Sequence, residues 1–458
     1  MKKLKFRLFS PAVIIILIAV MISCNTNQTK NTKEKKEEMQ EDWSKNANIY
    51  EVNIRQYTDE GTIVEFQKHL PRLKEMGVDI LWLMPVFPVG DLNRKGSLGS
   101  YYAVKDYKDI NPEFGNIEDL KNLVKEAHKL GMHVILDWVA NHSAWDNSWA
   151  TEHPDWYQHD DSGKFVSPFD WTDVISFDYD NNDMRAAMVD ALKFWITEAD
   201  VDGYRCDVAG MVPTDFWDNA RDQMDSIKPV FMLAEDEDNT DLLRKAFDMN
   251  YSWKLHHIMN DIAKGKKNAN DIWDYITWND SVYPSNAYRM YFTSNHDENS
   301  WNGTVQERMG DAGEAMAILS YTVPGMALVY SGQEAGLDKR LRFFEKDTIN
   351  WDNMVYGNLY TKLNNLKKEN KALWNGENGG SMTRLNDGSN QHVYAFLREK
   401  DGDKVITIIN LSNKPQEVVI DLDIESGKYR NVFSGEELVI SKNDNFELLP
   451  WTYLVLTN

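Results

Sequence analysis

Short apolar segments alternate with helical segments from Ala47 onward, and this alternation limits the folds that the chain can adopt. Apolar residues recur at helical spacing between the segments, and Gly77 and Gly131 stand where two of the helices end. Strand, helix and glycine in repeated order indicate parallel β/α units. Eight segments have strand character: NIYEVNI, DILWLMPV, HVILDWV, DGYRCDV, PVFMLAE, a poorly defined run near Tyr251, AYRMYFTSN and MALVYSGQE.

Eight such units predict an α/β fold whose parallel strands close into a (β/α)8 TIM barrel over residues 43–379. An open, doubly wound sheet stays as the alternative, because the sixth strand is poorly defined. About 60 residues separate Asn141 from Val201 after the third strand, so we expect a short loop domain inserted over residues 143–178. Over residues 380–458, short strand patterns separated by turns predict a C-terminal all-β sandwich domain.

The composition argues against anionic partners. With 458 residues, the chain can bury a large core and is longer than one ordinary domain. A formal net charge of −22 would repel nucleic acids and anionic membrane surfaces, whereas a neutral substrate is indifferent to it. We therefore expect no nucleic-acid partner. We expect no organic cofactor either, and the sequence does not indicate an oligomeric state.

The amino terminus has the pattern of an export signal. A basic stretch, an apolar run over residues 11–22 and Ser23 before Cys24 are typical of a signal peptide, and the run is too short to span a bilayer comfortably. The ending MISC resembles a bacterial lipoprotein box, which implies cleavage after residue 23 and lipid attachment to Cys24. Residues 25–42 have almost no apolar side chains and should form a disordered tether.

These features predict an exported protein anchored to the bacterial cell envelope, on the periplasmic side or at the cell surface. It would contact the membrane only through the lipid on Cys24. An ordinary secretory signal with an incidental cysteine stays as the alternative. Because Cys206 would be the one other cysteine, we expect no intramolecular disulfide.

Charged side chains stand at the ends of several predicted strands. They are Asp137, Arg205 with Asp207, Glu235, and His296 with Asp297. The carboxyl ends of parallel strands meet at one mouth of a closed barrel, so we expect these side chains to converge. Each segment alone is a weak signal, whereas the ordered set predicts a glycoside-cleaving active site.

Arg205 and Asp207 are two residues apart on a strand and should point to the same face, whereas Cys206 points to the other face as a packing residue. An arginine beside an aspartate lowers the pKa of that aspartate and keeps it ionised. An ionised carboxylate suits a nucleophile. A structural ion pair at the end of the barrel is the alternative.

Glu235 ends the run PVFMLAE, behind apolar residues and in front of further acids. A carboxyl group that is partly desolvated and close to other carboxylates has a raised pKa and can donate a proton. Glu235 is therefore the candidate acid/base. The alternative is a solvated acidic loop, which is what we expect for Asp236, Glu237 and Asp238.

Histidines accompany the acids in two of these segments. His296 precedes Asp297, and His142 follows Asp137 and Asn141. Imidazoles and carboxylates together hydrogen-bond to vicinal sugar hydroxyls, although a lone histidine at a strand end more often has a structural role. Histidine or cysteine pairs at metal-binding spacing are absent from these segments, so we expect no catalytic zinc.

The segments DWVANH, GYRCD, AED and SNHD, in this order and spacing, resemble the four conserved segments of the α-amylase family, glycoside hydrolase family 13. GSYYAVKDYKDINPEFG and VPGMALVYSGQEAG resemble the family's stretches near its second and eighth strands. The resemblance covers about residues 45 to 455. By position it implies a role for each of eight residues: Asp207 as nucleophile, Glu235 as general acid/base, Asp297 as third carboxylate, Arg205 orienting Asp207, His142, His296 and Tyr102 contacting the sugar, and Asp137 supporting the site.

The resemblance implies a retaining hydrolase that cleaves α-1,4-glucosidic bonds in starch-derived glucans or maltooligosaccharides by double displacement. In such enzymes the two reacting carboxyl groups lie roughly 5 to 5.5 Å apart. Transglycosylation or an oligosaccharide-specific α-glucosidase activity is the alternative on the same scaffold. A non-catalytic glucan-binding protein is a third reading, although dead relatives usually lose a carboxylate.

The chain also departs from the family pattern. Gly210 and Met211 stand where many starch-cleaving members have Lys-His, which puts in doubt a contact on the leaving-group side and one calcium contact. By the same resemblance, Asn141 is a candidate ligand of a structural calcium, with a hydrogen bond that stabilises the loop as the alternative. Four tryptophans are candidates for outer sugar subsites, with packing as the alternative for each: Trp145, Trp149, Trp156 and Trp171.

Overall fold

The computed structural model of the protein describes residues 43–420 and 426–458. The predicted signal peptide, the tether and Cys24 fall within residues 1–42 and so lie outside the described residues. In the described part of the chain, no helix combines the length and the apolar character needed to cross a membrane.

Eight parallel strands close into a barrel, which confirms the TIM-barrel prediction and makes the open-sheet alternative wrong. Each strand pairs with its neighbours in chain order, and the eighth pairs with the first. The strands are β1 Ile49–Val52, β2 Ile80–Leu83, β3 His133–Trp138, β4 Gly203–Cys206, β5 Phe231–Ala234, β6 Met249–Tyr251, β7 Tyr288–Tyr291 and β8 Met326–Tyr330. Nearly all of their residues are buried, as expected for strands covered by helices outside and packed side chains inside.

The poorly defined sixth strand is the three-residue segment β6. Its Met249 pairs in parallel with Leu233 of β5 and with Tyr288 of β7. Three residues are too few to display a periodic pattern, so pairing with both neighbours defines this strand rather than its own sequence.

Helices connect the strands and pack their apolar faces against the barrel. Gly77 and Gly131 adopt φ of 88° and 68°, in the left-handed region where glycine commonly ends a helix. The segment before Gly77, whose apolar residues recur at helical spacing, forms two short helices rather than one. The α-helices are Ile54–Tyr57, Ile63–Gln67, Leu70–Glu75, Ile117–Lys129, Ser148–Glu152, Asn182–Ala199, Thr214–Asp225, Trp253–Ala263, Ala269–Val282, Val305–Met309, Gly313–Thr322 and Gly357–Glu369.

Shorter helical turns stand mainly in the loops. A π-helix, Glu298–Asn302, directly follows Asp297. The 3-10 helices are Pro154–Trp156, Ala209–Met211, Thr240–Arg244, Gly310–Ala312, Gln333–Ala335, Lys371–Leu373 and Gly376–Asn378.

Between β3 and β4 the chain forms a small excursion built on two antiparallel strands, His142–Ala144 and Val174–Ser176. Trp149 and Trp156 pack edge to face with ring centroids 5.3 Å apart. Trp145 donates its indole N–H to a backbone carbonyl of the same excursion at 3.0 Å. Trp149 also stacks on Tyr107, outside the excursion, with ring centroids 5.2 Å apart. These three tryptophans therefore have packing or hydrogen-bond partners within the protein.

Beyond Gly380, all the strands are antiparallel, which confirms the all-β domain. One sheet contains, in spatial order, Ser381–Arg384, Val393–Lys400, Asp403–Asn410, Tyr453–Thr457, Gly427–Asn431 and Glu437–Ile440, and a second pairs Gln416–Val419 with Asn445–Leu448. The sequence did not indicate Ser381–Arg384 or Asn445–Leu448. Their side chains are mostly exposed or half-buried, so neither segment has the apolar pattern that marks a strand.

Candidate active site

A cleft of about 390 Å³ lies where the barrel strands end at their carboxyl side. Six of the residues predicted from the sequence line it: Tyr102, His142, Asp207, Glu235, His296 and Asp297. Asp137 and Arg205 are fully buried and act on the cleft through contacts with residues that line it. The structure thus brings together side chains that are far apart in the sequence, from Tyr102 to Asp297.

The Arg205 guanidinium joins three carboxylates. Its Nη1 lies 2.9 Å from Asp137 Oδ1 and 3.0 Å from Asp207 Oδ1, and its Nη2 lies 2.9 Å from Glu235 Oε2. Its Nε donates to the Tyr251 hydroxyl at 3.2 Å. Because the arginine is fully buried, salt screens these ion pairs far less than it screens surface pairs. One cation therefore holds Asp207 and Glu235 in fixed relative positions.

Burial dominates the protonation of these two carboxyl groups. It raises the pKa of Asp207 to about 6; Arg205 lowers that pKa, as the sequence predicted, but burial outweighs it. Burial also raises the pKa of Glu235 to about 7 against the opposing effect of Arg205, with further increases from the Asp207 and Asp297 carboxylates. Asp207 thus loses its proton at lower pH than Glu235 does. This order suits one nucleophile and one proton donor.

Asp137 lies beside the reacting groups and accepts several hydrogen bonds. Its Oδ2 accepts from the Trp82 indole N–H at 3.1 Å and from the Tyr102 hydroxyl at 3.0 Å, while its Oδ1 pairs with Arg205. Burial raises the pKa of Asp137 to about 6, against the effects of Arg205 and His296. The sequence did not single out Trp82, because a tryptophan inside an apolar strand looks like a core residue.

His296 is held from both sides of its ring. Its Nδ1 contacts the Glu51 carboxylate, and its Nε2 lies 2.8 Å from the Tyr102 hydroxyl and 3.4 Å from Asp297 Oδ2. Burial lowers the pKa of His296, but the Asp297 and Glu51 carboxylates outweigh burial and raise it to about 9. Sequence reasoning missed Glu51. The available signal was a single acid within the apolar strand IYEV, which has no reason to be buried unless it is paired.

His142 has the opposite electrostatic environment. It is 2% exposed, and burial lowers its pKa to about 3, so it is a neutral imidazole at any pH near neutrality. Its ring packs edge to face against Trp171, which also lines the cleft. The two predicted sugar-binding histidines therefore differ in charge.

Asn141, the candidate calcium ligand, has hydrogen-bond partners within the protein. The Asn141 amide contacts His142 Nδ1 at 3.2 Å, and its backbone carbonyl accepts from Phe177 N–H at 3.1 Å. Within residues 43–420 and 426–458, no three His, Cys, Asp or Glu side chains are grouped so as to hold a metal ion. The carboxylate-rich ligand set that calcium prefers is thus not assembled there, and the calcium site stays a prediction without a part in the mechanism.

The rim of the cleft includes Trp171, one of the four candidate tryptophans, and several residues that the sequence did not indicate. Lys95, from the loop after β2, pairs with Asp173 of the excursion at 3.0 Å, and both side chains line the cleft. Aromatic side chains also line it: Trp171, Trp301, Phe343 and Phe344. The Tyr102 and Phe343 rings are nearly parallel, at 8°, with centroids 6.2 Å apart. Such faces suit contacts with sugar rings.

The backbone after the predicted nucleophile is strained. Val208 has φ of 38° and ψ of 46°, a left-handed conformation that a β-branched residue rarely adopts, and its N–H donates to Glu235 Oε2 at 2.8 Å. Two residues further on, a Cβ atom at Gly210 would stand 2.0 Å from Asp236 Oδ2. Only glycine therefore fits at position 210 unless the Asp236 carboxylate moves. Met211 is 42% exposed.

The acidic run after Glu235 is not the uniformly solvated loop that the sequence predicted. Asp238 is exposed, but the Glu237 side chain is only 5% exposed and pairs with Arg289 of β7 at 2.8 Å. Asp236 is half-buried, and burial raises its pKa. The prediction was wrong for Glu237 because its cation and its covering side chains come from distant parts of the chain.

The sequence matches the models of two known protein families. The model of the α-amylase catalytic domain matches residues 27–174 and 151–383. The chain belongs to the α-amylase family. A second model, the C-terminal domain of maltogenic amylase, matches residues 383–455 of this family member.

Curated relatives and solved structures support the family assignment. Alpha-amylase MalA of Haloarcula japonica is 27% identical over 89% of this chain, and Alpha-amylase 3 of Dictyoglomus thermophilum is 28% identical over 65% of it. The chain spans 62% and 66% of the lengths of these two relatives. A maltogenic alpha-amylase, AmyB, from Thermotoga neapolitana is 31% identical, with TM-score 0.82, over 90% of this chain and 98% of its own. An alpha-amylase from Lactobacillus plantarum is 30% identical, with TM-score 0.81, over 91% and 99%.

Proposed function

We propose that this member of the α-amylase family is a retaining glycoside hydrolase that cleaves α-1,4-glucosidic bonds in starch-derived glucans or maltooligosaccharides. The observation that carries the proposal is the shared contact of Asp207 and Glu235 with one buried guanidinium at the cleft. Their pKa values of about 6 and about 7 allow one group to be ionised while the other holds a proton. The names of the relatives, which include alpha-amylases and cyclomaltodextrinases, support the substrate class.

The reaction would proceed in two displacements. In the first, protonated Glu235 gives its proton to the glycosidic oxygen while an Asp207 oxygen attacks C1, so that the C1–O bond breaks and a glucosyl ester forms. In the second, the Glu235 carboxylate takes a proton from water. The resulting hydroxide oxygen attacks C1 and releases Asp207, and Glu235 is again protonated.

Other residues of the cleft would bind and orient the sugar. Arg205 keeps Asp207 in place for attack, and its charge favours the carboxylate that departs in the second step. Asp297 and His296 present a carboxylate and a cationic imidazole to the sugar hydroxyls, His142 presents a neutral imidazole, and Tyr102 presents its ring. Asp137 supports the site by holding Arg205 and Tyr102.

Transfer to a sugar acceptor instead of water is the second candidate. Both outcomes share the covalent intermediate. Shortly after the nucleophile, this chain has Gly210 and the exposed Met211 where many starch-cleaving members have Lys-His, so the acceptor side of the cleft differs. Longer products that appear from maltotriose over time would favour transfer. Glucose and maltose alone would favour hydrolysis.

The decisive experiment is chromatography of products from amylose, pullulan and maltotriose, with wild type beside Asp207→Asn. Loss of the nucleophile should reduce cleavage by a factor on the order of 10³ or more while glucan binding persists. Asp241→Asn is the matched control, since this carboxylate is exposed and pairs with the equally exposed Arg244, three residues away. Wild type that binds glucans without cleaving them would show a non-catalytic glucan-binding protein instead.

We also propose, from the sequence alone, that the mature protein is anchored to the cell envelope by a lipid on Cys24. The signal pattern before Cys24 and the polar stretch after it support this proposal. Cys24→Ala expressed in a bacterial host should move the protein from the membrane fraction to the soluble fraction and abolish incorporation of labelled fatty acid. If Cys24→Ala fractionated like wild type, and if wild type incorporated no labelled fatty acid, the signal would be an ordinary secretory signal.

A further inference from the structure

Glu51 is a fully buried acid that the reaction outlined above does not use. It lies on β1, is 0% exposed, and is not among the side chains that line the cleft. One oxygen contacts His296 Nδ1, and the other, Oε2, has no hydrogen-bond partner among the described residues. Burial of a carboxylate that has one oxygen without a hydrogen bond costs folding free energy. Packing alone does not explain why an acid is kept here, so the reason should lie in its contact with His296.

The hydrogen-bond pattern around His296 determines which ring nitrogens carry hydrogens. The Tyr102 hydroxyl has a single hydrogen, and it is directed to Asp137 Oδ2 at 3.0 Å. Its oxygen, 2.8 Å from His296 Nε2, must then accept, so Nε2 carries a hydrogen. While Glu51 is ionised, its carboxylate can only accept from Nδ1, which then carries a hydrogen as well. Both nitrogens therefore donate, which only the imidazolium form can do.

Charged groups face His296 from several strands. Glu51 approaches from β1, Asp137 from β3 through Tyr102, Arg205 from β4, and Asp297 follows in the same segment. Arg205 and burial disfavour the cation, whereas Asp297 and Glu51 favour it and raise the pKa of His296 to about 9. Burial also raises the pKa of Glu51 itself, against the effect of His296. Without Glu51, Asp297 would be the one carboxylate in direct contact with the ring among the described residues.

We propose that Glu51 is a positioning residue that keeps His296 as a double hydrogen-bond donor, with Nε2–H directed to Tyr102 and Asp297 at the floor of the cleft. Its effect on activity rests on the proposed glycosidase function. In Glu51→Gln the amide supplies no charge, so His296 loses its proton at lower pH. Once neutral with its hydrogen on Nδ1, the ring would accept from Tyr102 at Nε2, and Tyr102 would stop donating to Asp137.

The first measurement is a pH titration of His296 in full-length protein labelled at histidine Cε1, with the signal assigned by its loss in His296→Gln. Wild type should titrate near pH 9. Glu51→Gln should titrate at least one unit lower, and Glu51→Asp, which keeps the charge, should lie between the two. A wild-type His296 that is neutral at pH 7.5 would overturn the proposal, even if Glu51→Gln failed to fold.

The second measurement compares kcat/KM for a maltooligosaccharide at pH 6 and pH 8. Glu51→Gln should be close to wild type at pH 6 and weaker at pH 8, because His296 is then less protonated at pH 8. The loss at pH 8 should be about twofold if the pKa of His296 falls by one unit and about tenfold if it falls by two units. The control is Glu334→Gln: this acid is also 0% exposed but bonds to Tyr50, next to Glu51 in sequence, and to Arg72.

Glu334→Gln should leave the ratio of activities at the two pH values unchanged. A loss in Glu51→Gln that is equal at both pH values, with an unshifted His296 titration, would mean that Glu51 only packs. Wild type without activity on any glucan would refute the glycosidase proposal, and the titration would still decide the role of Glu51.

Discussion

Removal of the Glu237 carboxylate should cost far more stability than removal of its neighbour Asp238, although the two stand side by side in one acidic run. Glu237 accepts hydrogen bonds from Arg289 at 2.8 Å, from the Lys254 backbone N–H at 2.7 Å and from the Tyr275 hydroxyl at 3.3 Å. The side chains of Glu237 and Arg289 are 5% and 2% exposed. Asp238 pairs with the Lys254 ammonium at 3.1 Å, but its side chain is 88% exposed.

These environments set the expected magnitudes. Glu237→Ala leaves the Arg289 cation buried without its carboxylate, which costs about 3–5 kcal/mol of unfolding free energy for a pair of this kind. Asp238→Ala breaks a solvated pair worth about 0–1 kcal/mol. Because Glu237 stands two residues after Glu235, the first variant should also lose activity at temperatures where it remains folded.

The assay is urea unfolding of both variants and wild type, followed by far-UV circular dichroism, with the free energy taken from midpoint and slope. The double variant Glu237→Ala with Arg289→Met, which removes both charges, should recover part of the loss. Equal destabilisation by Glu237→Ala and Asp238→Ala would refute the reasoning. It would mean that burial does not change what an ion pair contributes to the free energy of unfolding.

Three further predictions concern the cleft and the barrel. The profile of kcat/KM against pH should be bell-shaped with apparent pKa values near 6 and near 7, because activity needs ionised Asp207 and protonated Glu235. A flat profile from pH 5 to pH 9 would contradict this. Gly203→Ala should prevent folding or cost more than about 3 kcal/mol in urea unfolding, because its Cβ would stand 1.8 Å from a carbonyl oxygen of β5; a stable variant would count against the strand geometry. Lys95→Met and Asp173→Asn should each raise KM for maltooligosaccharides, because the two side chains pair at the rim of the cleft. The KM of the double variant should not exceed the higher KM of the two single variants, whereas additive effects would show that the two side chains act separately.

The barrel could be predicted because its pattern is local. Each strand except β6 is an apolar run next to a helical repeat, and glycines such as Gly77 mark where helices end. The convergence of acids followed from topology, since parallel strands of a closed barrel present their carboxyl ends at one mouth. The common orientation of Arg205 and Asp207 followed from alternation along a strand, and both contact each other at 3.0 Å.

The missed residues of the site gave weak local signals. Glu51 and Trp82 each stand within an apolar strand, and their partners His296 and Asp137 are 245 and 55 residues away. Lys95, Trp301, Phe343 and Phe344 lie outside the barrel strands, where sequence pattern says little about which side chains meet. Contacts across such distances are created by the pairing of strands in the barrel, not by neighbouring residues in the sequence.

From the sequence alone, one could name the family, the barrel and the acids that end its strands. The tertiary structure decided which of those acids are charged. Asp207 sits beside an arginine, yet burial raises its pKa, and Glu237 and Asp238 are adjacent but have opposite environments. The physical reason is that a pKa depends on loss of water and on charges within a few ångströms, and both are set by residues far away in the chain.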